Sequence, residues 1–350
     1  MEDLASILYT SGTTGRSKGA MLSHGNLTSN AESLKQAWEF SGDDVLLHAL
    51  PIFHIHGLFV ATNISLLSGA SILLLPKFEP DAVFQALPQA SVMMGVPTFY
   101  TRLLKDARLD EDRTRHMRLF ISGSAPLLPE THTQWQERTG HAILERYGMT
   151  ETNMNTSNPY RGARIPGSVG LPLPGVEIRI ADGEGHALPQ GEIGMIEVRG
   201  PNVFKGYWKM PEKTEAEFRT DGFFMTGDLG SIGADGYLRI VGRGKDLIIS
   251  GGLNVYPREI ESLLDELAGV EESAVVGLPH DDFGEGVTAF LVLKPGAQLT
   301  PEGVMESLGD RLARFKLPKR VLFIDQLPRN SMGKVQKSAL RQDHAKLYRG

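Results

Sequence analysis

Up to about residue 170, short apolar runs alternate with segments of helical period. "SVMMGV" precedes "PTFYTRLLKD", and "RLFISG" precedes "PETHTQWQERTG". This rhythm predicts a mostly parallel sheet covered by helices. Between 171 and 244 the pattern shifts to "GVEIRIAD", "GMIEVRG" and "GYLRIVG", separated by Gly, Pro and Asp turns. That spacing predicts a small antiparallel or barrel-like β subdomain. From 245 to 350 the chain reads as a compact α+β unit. "PREIESLLDEL" and "PEGVMESLGDRLA" are amphipathic helices, and "ESAVVGLP", "GVTAFLVL" and "RVLFID" are strands. No internal repeat is visible.

One apolar run is long enough to test against a bilayer. No Asp, Glu, Lys or Arg occurs between Val45 and Pro76. Asn63, Thr62 and several serines interrupt the run, and Ser68-Gly69-Ala70 divides it into a buried helix and a buried strand, so a membrane span is disfavoured. The 350 residues exceed one ordinary core, and 36 basic against 42 acidic residues give a net charge of -6 without a block of one sign. Nucleic acid and anionic membrane are therefore not expected partners. With 0 cysteines, neither a disulfide framework nor an enzyme-bound thioester can form. The opening "MEDLASILYT" lacks the layout of a secretory signal, so a cytoplasmic location is expected.

The chemistry concentrates first in "YTSGTTGRSKGAMLSH", Tyr9 to His24. Gly12 and Gly15 leave backbone N–H groups open, Thr10, Ser11, Thr13, Thr14 and Ser17 add hydroxyls, and Lys18 adds a positive charge. This combination suits a polyphosphate. It is not the G-x-x-x-x-G-K-[ST] loop, because Gly19 and Ala20 follow Lys18. A flexible linker has a similar composition, but the apolar residues on both sides favour a site. Further along come "LPIFHIHG", "LFISGSAPL", "ERYGMTET", "TGDLG", "GRGKDLIISGGLNVYPREIE" and "LPRNSMGKVQK".

Taken in order from Tyr9 to Lys337, these stretches resemble the adenylate-forming superfamily of acyl-CoA synthetases, peptide-synthetase adenylation domains and luciferases. The resemblance implies a large α/β adenylate-forming domain with a β-rich subdomain, followed by a small mobile α+β domain that turns about Lys245. It implies ATP and Mg²⁺ as cofactors and coenzyme A as co-substrate. The loop from Thr10 through Ser11, Gly12, Thr13, Thr14 and Gly15 to Lys18 is assigned to the leaving pyrophosphate. Gly123, Ser124, Ala125 and Pro126 border the adenine, and Tyr147 lies against its face. Thr150 meets the α-phosphate, Glu151 holds Mg²⁺, and Asp228 and Arg243 take the ribose hydroxyls.

Lys334 is assigned to the adenylation step, as a cation between the attacking carboxylate and the α-phosphate. By itself a lysine in "NSMGKV" reads as a solvated surface charge. Gly251 and Gly252 are assigned to the pantetheine tunnel, although a β-turn accounts for them equally well. Phe315, Lys316 and Lys319 match positions facing the CoA nucleotide, and a basic helix end is the alternative. His54 matches a residue between the acyl and thiol tunnels. His56 reads as a hydrogen-bonded core residue, and an H-x-H metal site lacks further ligands.

Within the superfamily, "GVPTFYTRLL", "FISGSAPLL", "ERYGMTETNMNTSNPY" and "GPNVFKGYW" are similar to the malonyl-CoA synthetases. That branch implies a small dicarboxylic acid substrate, with a cation for its second carboxylate. Arg102, on the helix after "GVPT", is the expected cation, and Ser122 the expected hydrogen-bond donor. Ile55 and Met154 are expected to limit the pocket near the acid's C2.

Family members carry a further N-terminal portion before the phosphate loop. The chain is therefore expected to lack one layer of the large domain, as a truncated piece or as half of a split protein with a separate N-terminal subdomain. A non-catalytic nucleotide-binding fragment, or a ligase for another short acid, is the alternative function.

Overall fold

The computed structural model describes residues 1–10, 18–330 and 334–348. The chain forms two compact units, one of residues 1–226 with 230–240, the other of residues 227–229 with 241–350.

The first unit opens with a hairpin. Strand β1 (Leu4–Thr10) runs antiparallel to β2 (Lys18–Ser23), with Thr10 opposite Lys18. The helix His24–Ala37 follows at once. Ser23 caps it by accepting from the Asn26 N–H at 3.1 Å, while the Asn26 side chain accepts from the Ser23 N–H at 2.9 Å, a reciprocal pair that satisfies two helix-end donors.

The main sheet contains β3 (Val45–His48), β4 (Ser71–Leu74), β5 (Val92–Gly95), β6 (Leu119–Ser122), β7 (Leu144–Met149), β8 (Asn153–Ser157) and β9 (Leu171–Pro172), in the order β4-β3-β5-β6-β7-β8-β9. Pairings from β4 to β7 are parallel, and β8 and β9 are antiparallel. Every residue of β5 and β6 is buried, as expected of inner parallel strands covered on both faces. The helices Pro97–Leu104 and Pro129–Thr139 begin with proline at a position whose N–H has no helical acceptor. Trp135 meets Tyr100 edge-on at 4.9 Å and Phe120 at 5.0 Å, and the Tyr100 hydroxyl donates to the Ile121 carbonyl at 2.6 Å.

The apolar run from Val45 to Pro76 divides at the polar breaks, but its two pieces are not buried throughout as expected: β4 is an edge strand with Ser71 and Leu74 exposed, and Leu66 and Leu67 of the helix before it are exposed. A π-helical turn, His56–Ala61, leads into the helix Thr62–Ser68, and Gly69 at φ 71° turns the chain towards β4. Among the described residues no helix is long and apolar enough to cross a membrane. The β-rich segment forms an open four-stranded sheet rather than a barrel. Its order is β10 (Glu177–Ala181), β11 (Gly194–Arg199), β12 (Phe224–Ile232) and β13 (Leu238–Arg243).

The second unit is built on β14 (Ile248–Ser250), β15 (Leu253–Val255), β16 (Val270–His280), β17 (Gly284–Leu293) and β18 (Arg320–Phe323). The period of two along β16 and β17 makes two cores. Val275, Val287, Ala289 and Leu291 pack with Ile260, Leu264, Val304 and Leu308 on one face, and Ala274, Val276, Leu278, Phe290 and Val292 pack with Leu327 and Leu340 on the other.

Asp265, at the end of the helix Pro257–Asp265, accepts from the Ser273 hydroxyl at 2.7 Å, and burial pushes its carboxyl up to about 6. The unfolded chain ionises this group near the ordinary Asp value of about 3.9, so its folded-state penalty grows as pH rises between those values and is complete above the upper one. Asp265→Asn is therefore expected to stabilise the chain by roughly 1–2 kcal/mol at pH 7, a figure reduced for partial solvent contact, and by little at pH 4. Urea unfolding at the two pH values checks this.

Candidate functional site

In the first unit, the residues singled out by sequence gather around the C-terminal ends of β6 and β7. The turn from β7 to β8 carries Thr150 and Glu151, and Gly148 lies where the β7–β8 register shifts. A Cβ at Gly148 would stand 1.9 Å from the Asn153 carbonyl oxygen, so no other residue fits there without moving the turn.

Glu151 is 5% exposed, and burial pushes its carboxyl up. The Tyr207 hydroxyl lies 3.0 Å from Glu151 Oε1 and 2.5 Å from Glu217 Oε2. Lys18 Nζ donates to the Tyr207 oxygen at 3.0 Å and to Glu217 Oε1 at 3.2 Å, and lies 4.2 Å from the centre of the Tyr207 ring. Lys213 approaches the same Glu217 oxygen at 2.7 Å. Burial alone would raise the Glu217 carboxyl, but the hydrogen bonds from Lys213 and Tyr207 and the charge of Lys18 hold it below the ordinary value. The Tyr207 phenol is driven strongly upward by burial and by the two neighbouring carboxylates, so it stays protonated. Lys18 and Glu151, two residues read from sequence as phosphate and metal groups, are thus joined through Tyr207 and Glu217. Nothing local in the sequence marks those two, since Glu217 lies 199 positions from Lys18.

A second cluster lies at the ends of β6 and β7. Arg146 is 2% exposed, and among the described residues its Nε and Nη2 have no hydrogen-bond partner. Burial lowers its guanidinium to about 9. Its guanidinium packs on Gly123, where a Cβ would come within 2.4 Å of Cζ. The Ser122 hydroxyl and His56 Nε2 are buried and also lack partners, while His56 Nδ1 meets the Ser124 hydroxyl at 3.2 Å. Burial, then the Arg146 charge, holds His56 well below the ordinary imidazole value, so it is neutral. Ile55 and Met154, at 2% and 1% exposure, are core residues of this unit, as is Tyr147. His54 Nδ1 accepts from the His56 N–H at 3.4 Å.

Arg102 sits on the exposed side of its helix with the guanidinium 5.0 Å from the centre of the Phe78 ring, whereas the cation buried beside Ser122 and Gly123 is Arg146. Sequence reasoning did not single out Arg146, whose signal is an arginine inside the strand "LERYGM". Ala125 and Pro126 are exposed, and Ser124 takes a left-handed φ of 70°. Ser11, Gly12, Thr13, Thr14 and Gly15 lie outside the described residues, while Thr10 and Lys18 frame them as paired strand ends.

The second unit holds its own set. Asp228 pairs with Arg243 at 3.1 Å. Lys245, in the turn Gly244–Asp246, is exposed by surface area, and partial desolvation by its surroundings lowers its ammonium. Lys334 pairs with Asn330: its N–H donates to Asn330 Oδ1 at 3.0 Å and its carbonyl accepts from the Asn330 N–H at 3.0 Å. Lys316 pairs with Glu259 at 2.6 Å, and Lys319 lies 4.5 Å from the Phe283 ring centre.

Gly251 and Gly252, at φ 60° and 78°, form a two-residue loop between β14 and β15. Little surrounds the space a Cβ would take, and the left-handed backbone of the turn by itself favours glycine at both positions. Among the described residues no group of three or more His, Cys, Asp or Glu could hold a metal ion, which leaves Glu151 as a single-carboxylate ligand candidate.

Comparison with known proteins gives the same frame. The AMP-binding enzyme family matches residues 1–208, and its C-terminal domain matches residues 259–334. The chain is 40% identical over 98% of its length to the malonate–CoA ligase of Arabidopsis thaliana, of which it covers 61%, so it spans about three-fifths of that relative. It is 41% identical over 96% of its length to the indoleacetate–CoA ligase of Aromatoleum aromaticum, covering 66% of it. The ATP-bound structure of MatB from Rhodopseudomonas palustris superposes with a TM-score of 0.98 at 63% identity, over 99% of this chain and 69% of that one.

Gly123→Ala is expected to cost about 1–3 kcal/mol, because the buried guanidinium has no space into which to yield. Chemical unfolding, with Gly183→Ala as a control where nothing lies within 4 Å, measures it.

Proposed function

Because the chain belongs to the AMP-binding enzyme family, we propose that it joins malonate, or a close dicarboxylic analogue, to coenzyme A in two half-reactions. In the first, one carboxylate of the acid attacks the α-phosphorus of ATP and the bond to the β-phosphate breaks, giving the acyl-adenylate and pyrophosphate. In the second, the thiol sulfur of coenzyme A attacks the acyl carbonyl, AMP leaves, and the thiol proton is lost. The relatives named above act on different acids at nearly equal identity, so the choice of acid rests on the site.

The observation that carries the reading is Arg146. A buried guanidinium with two unpartnered nitrogens costs several kcal/mol unless an anion pairs with it. The distal carboxylate of a short diacid supplies that anion, and the unpartnered Ser122 hydroxyl supplies a further donor. Arg146 therefore takes the role that sequence assigned to Arg102. Neutral His56, anchored through Ser124, adds a polar wall, and Ile55 and Met154 bound the carbon chain.

Lys18 and Thr10, with Ser11, Gly12, Thr13, Thr14 and Gly15, take the β- and γ-phosphates. The Lys18 ammonium is held for this task by Tyr207 and Glu217. Thr150 orients the α-phosphate, Tyr147 and residues 123–126 take the adenine, and Asp228 with Arg243 takes the ribose. One carboxylate suits magnesium, which keeps water and phosphate oxygens as its other ligands, so Glu151 fits this role. When bound, that ion screens phosphate charge during transfer. Lys334 stabilises charge at the α-phosphorus in the first half-reaction, and rotation about Lys245 exchanges it for the Gly251-Gly252 turn in the second. His54 lies between the acyl and thiol approaches, and Phe315, Lys316 and Lys319 face the nucleotide of coenzyme A.

Malonate-dependent ATP–pyrophosphate exchange tests the reading. Arg146→Met is expected to lower kcat/KM for malonate by 100-fold or more, from a loss of about 3–5 kcal/mol, and to spare exchange with acetate. Loss in Arg102→Ala with none in Arg146→Met returns the role to Arg102, and no exchange by the folded chain leaves the nucleotide-binding fragment as the function. Lys334→Gln is expected to slow adenylation far more than thioester formation from supplied malonyl-adenylate. Equal loss in both steps contradicts its assignment.

A further inference from the structure

Met154 is placed by a residue 124 positions away. Asn30, on the helix His24–Ala37, is 3% exposed, and its side-chain amide addresses the backbone of Met154 at both ends. Nδ2 donates to the Met154 carbonyl at 2.8 Å, and Oδ1 accepts from the Met154 N–H at 3.2 Å. This paired contact fixes the orientation of the amide, since reversing it would set donor against donor and acceptor against acceptor.

The contact imitates a neighbouring strand. β8 pairs with β7 on one side, whereas β9 reaches only Thr156 and Ser157 on the other. At Met154 the helix amide occupies the side that β9 does not reach. Asn202 Nδ2 adds a long contact to the same carbonyl at 3.4 Å, so Asn30 is the stronger of two side-chain partners. One turn earlier on the helix, Asn26 Nδ2 donates to the carbonyls of Pro201 and Val203, each at 2.8 Å. The helix thus uses two buried amides four residues apart to hold backbone of the site.

The side chain of Met154 has little freedom once its backbone is held. It lies over Gly148, where a Cβ would stand 2.6 Å from Met154 Cε, and Asn153 immediately before it has a left-handed φ of 50°. A shift of the Met154 backbone therefore moves its thioether directly.

We propose that Asn30 is a positioning residue for acid selectivity, fixing the Met154 backbone so that its side chain bounds the substrate at C2. This rests on the reading that Met154 lines the acid pocket. Asn30 itself touches no reacting atom in this account and acts only through Met154.

The experiment compares kcat/KM for malonate and methylmalonate in ATP–pyrophosphate exchange, using the full chain. Asn30→Ala is expected to reduce the preference for malonate by about fivefold or more, with KM for ATP unchanged, and to have no further effect on the preference in a Met154→Ala background. Asn30→Gln, which keeps an amide but displaces it by one methylene, serves the same comparison if the alanine variant does not fold. An unchanged preference, or an equal change with and without Met154, overturns the proposal. If the folded chain activates neither acid, the proposed function fails separately. Hydrogen exchange then decides the positioning role: the Met154 amide is expected to exchange about tenfold faster in either Asn30 variant while the Tyr147 amide is unchanged, and equal protection overturns it.

Discussion

A buried guanidinium without a protein anion is the constraint around which the first unit is arranged. Removing a charge from water costs several kcal/mol, and among the described residues Arg146 Nε and Nη2 find no partner to offset it. The strand β7 brings Arg146 to the sheet end, Gly123 gives up its side chain so the guanidinium can lie flat, and Ser122 on β6 stands beside that glycine. A hydrophobic residue at 146 would pack more cheaply. Under the proposed function the cation is half of a pair whose other half arrives with the substrate, which is how a binding site differs from a core.

The phosphate end of the site is arranged on the opposite principle. Lys18, Lys213, Glu151 and Glu217 bring cations and carboxylates together, and the Tyr207 hydroxyl sits between the two acids. Here charge is paired in advance. Glu217 holds the ammonium of Lys18 close to the end of the β1–β2 hairpin and so reduces the ordering required when an anion approaches. Under the proposed function the cost is competition, since an incoming phosphate would have to outbid Glu217 for Lys18, and a dianionic or trianionic group would do so through its greater charge.

The second unit separates support from chemistry. Alternating residues of β16 and β17 fill two apolar layers, and the polar elements lie on turns and hairpins at the edges of this frame. Lys337 pairs with the nearly buried Glu261 at 2.6 Å, and Arg341 pairs with Asp246 at 2.8 Å. These contacts tie the helix that follows Lys334 to the helix Pro257–Asp265 and to the turn containing Lys245. The local backbone pairing of Asn330 and Lys334 thereby rests on a stiff support.

The sequence alone carried the alternation of strands and helices, the break at Gly69, the β-rich character of the segment from 171 to 244 and the linear order of the reactive motifs, while that the β-rich sheet is open came from the structure. Periodicity and turn residues act within a few positions of one another, so they are visible before the chain folds. Local rules also offered a β-turn as the reason for the two glycines between β14 and β15. What they could not decide was which arginine is buried. Arg102 lies on a helix whose outward face depends on its neighbours, while Arg146 sits on a strand covered from both sides. Nor could they connect Lys18 to Glu217, or Asn30 to Met154, because those contacts join segments far apart in the chain that only the tertiary fold brings together. Folding decides them through burial, since a polar group withdrawn from water must find a partner in space, wherever that partner lies in the chain.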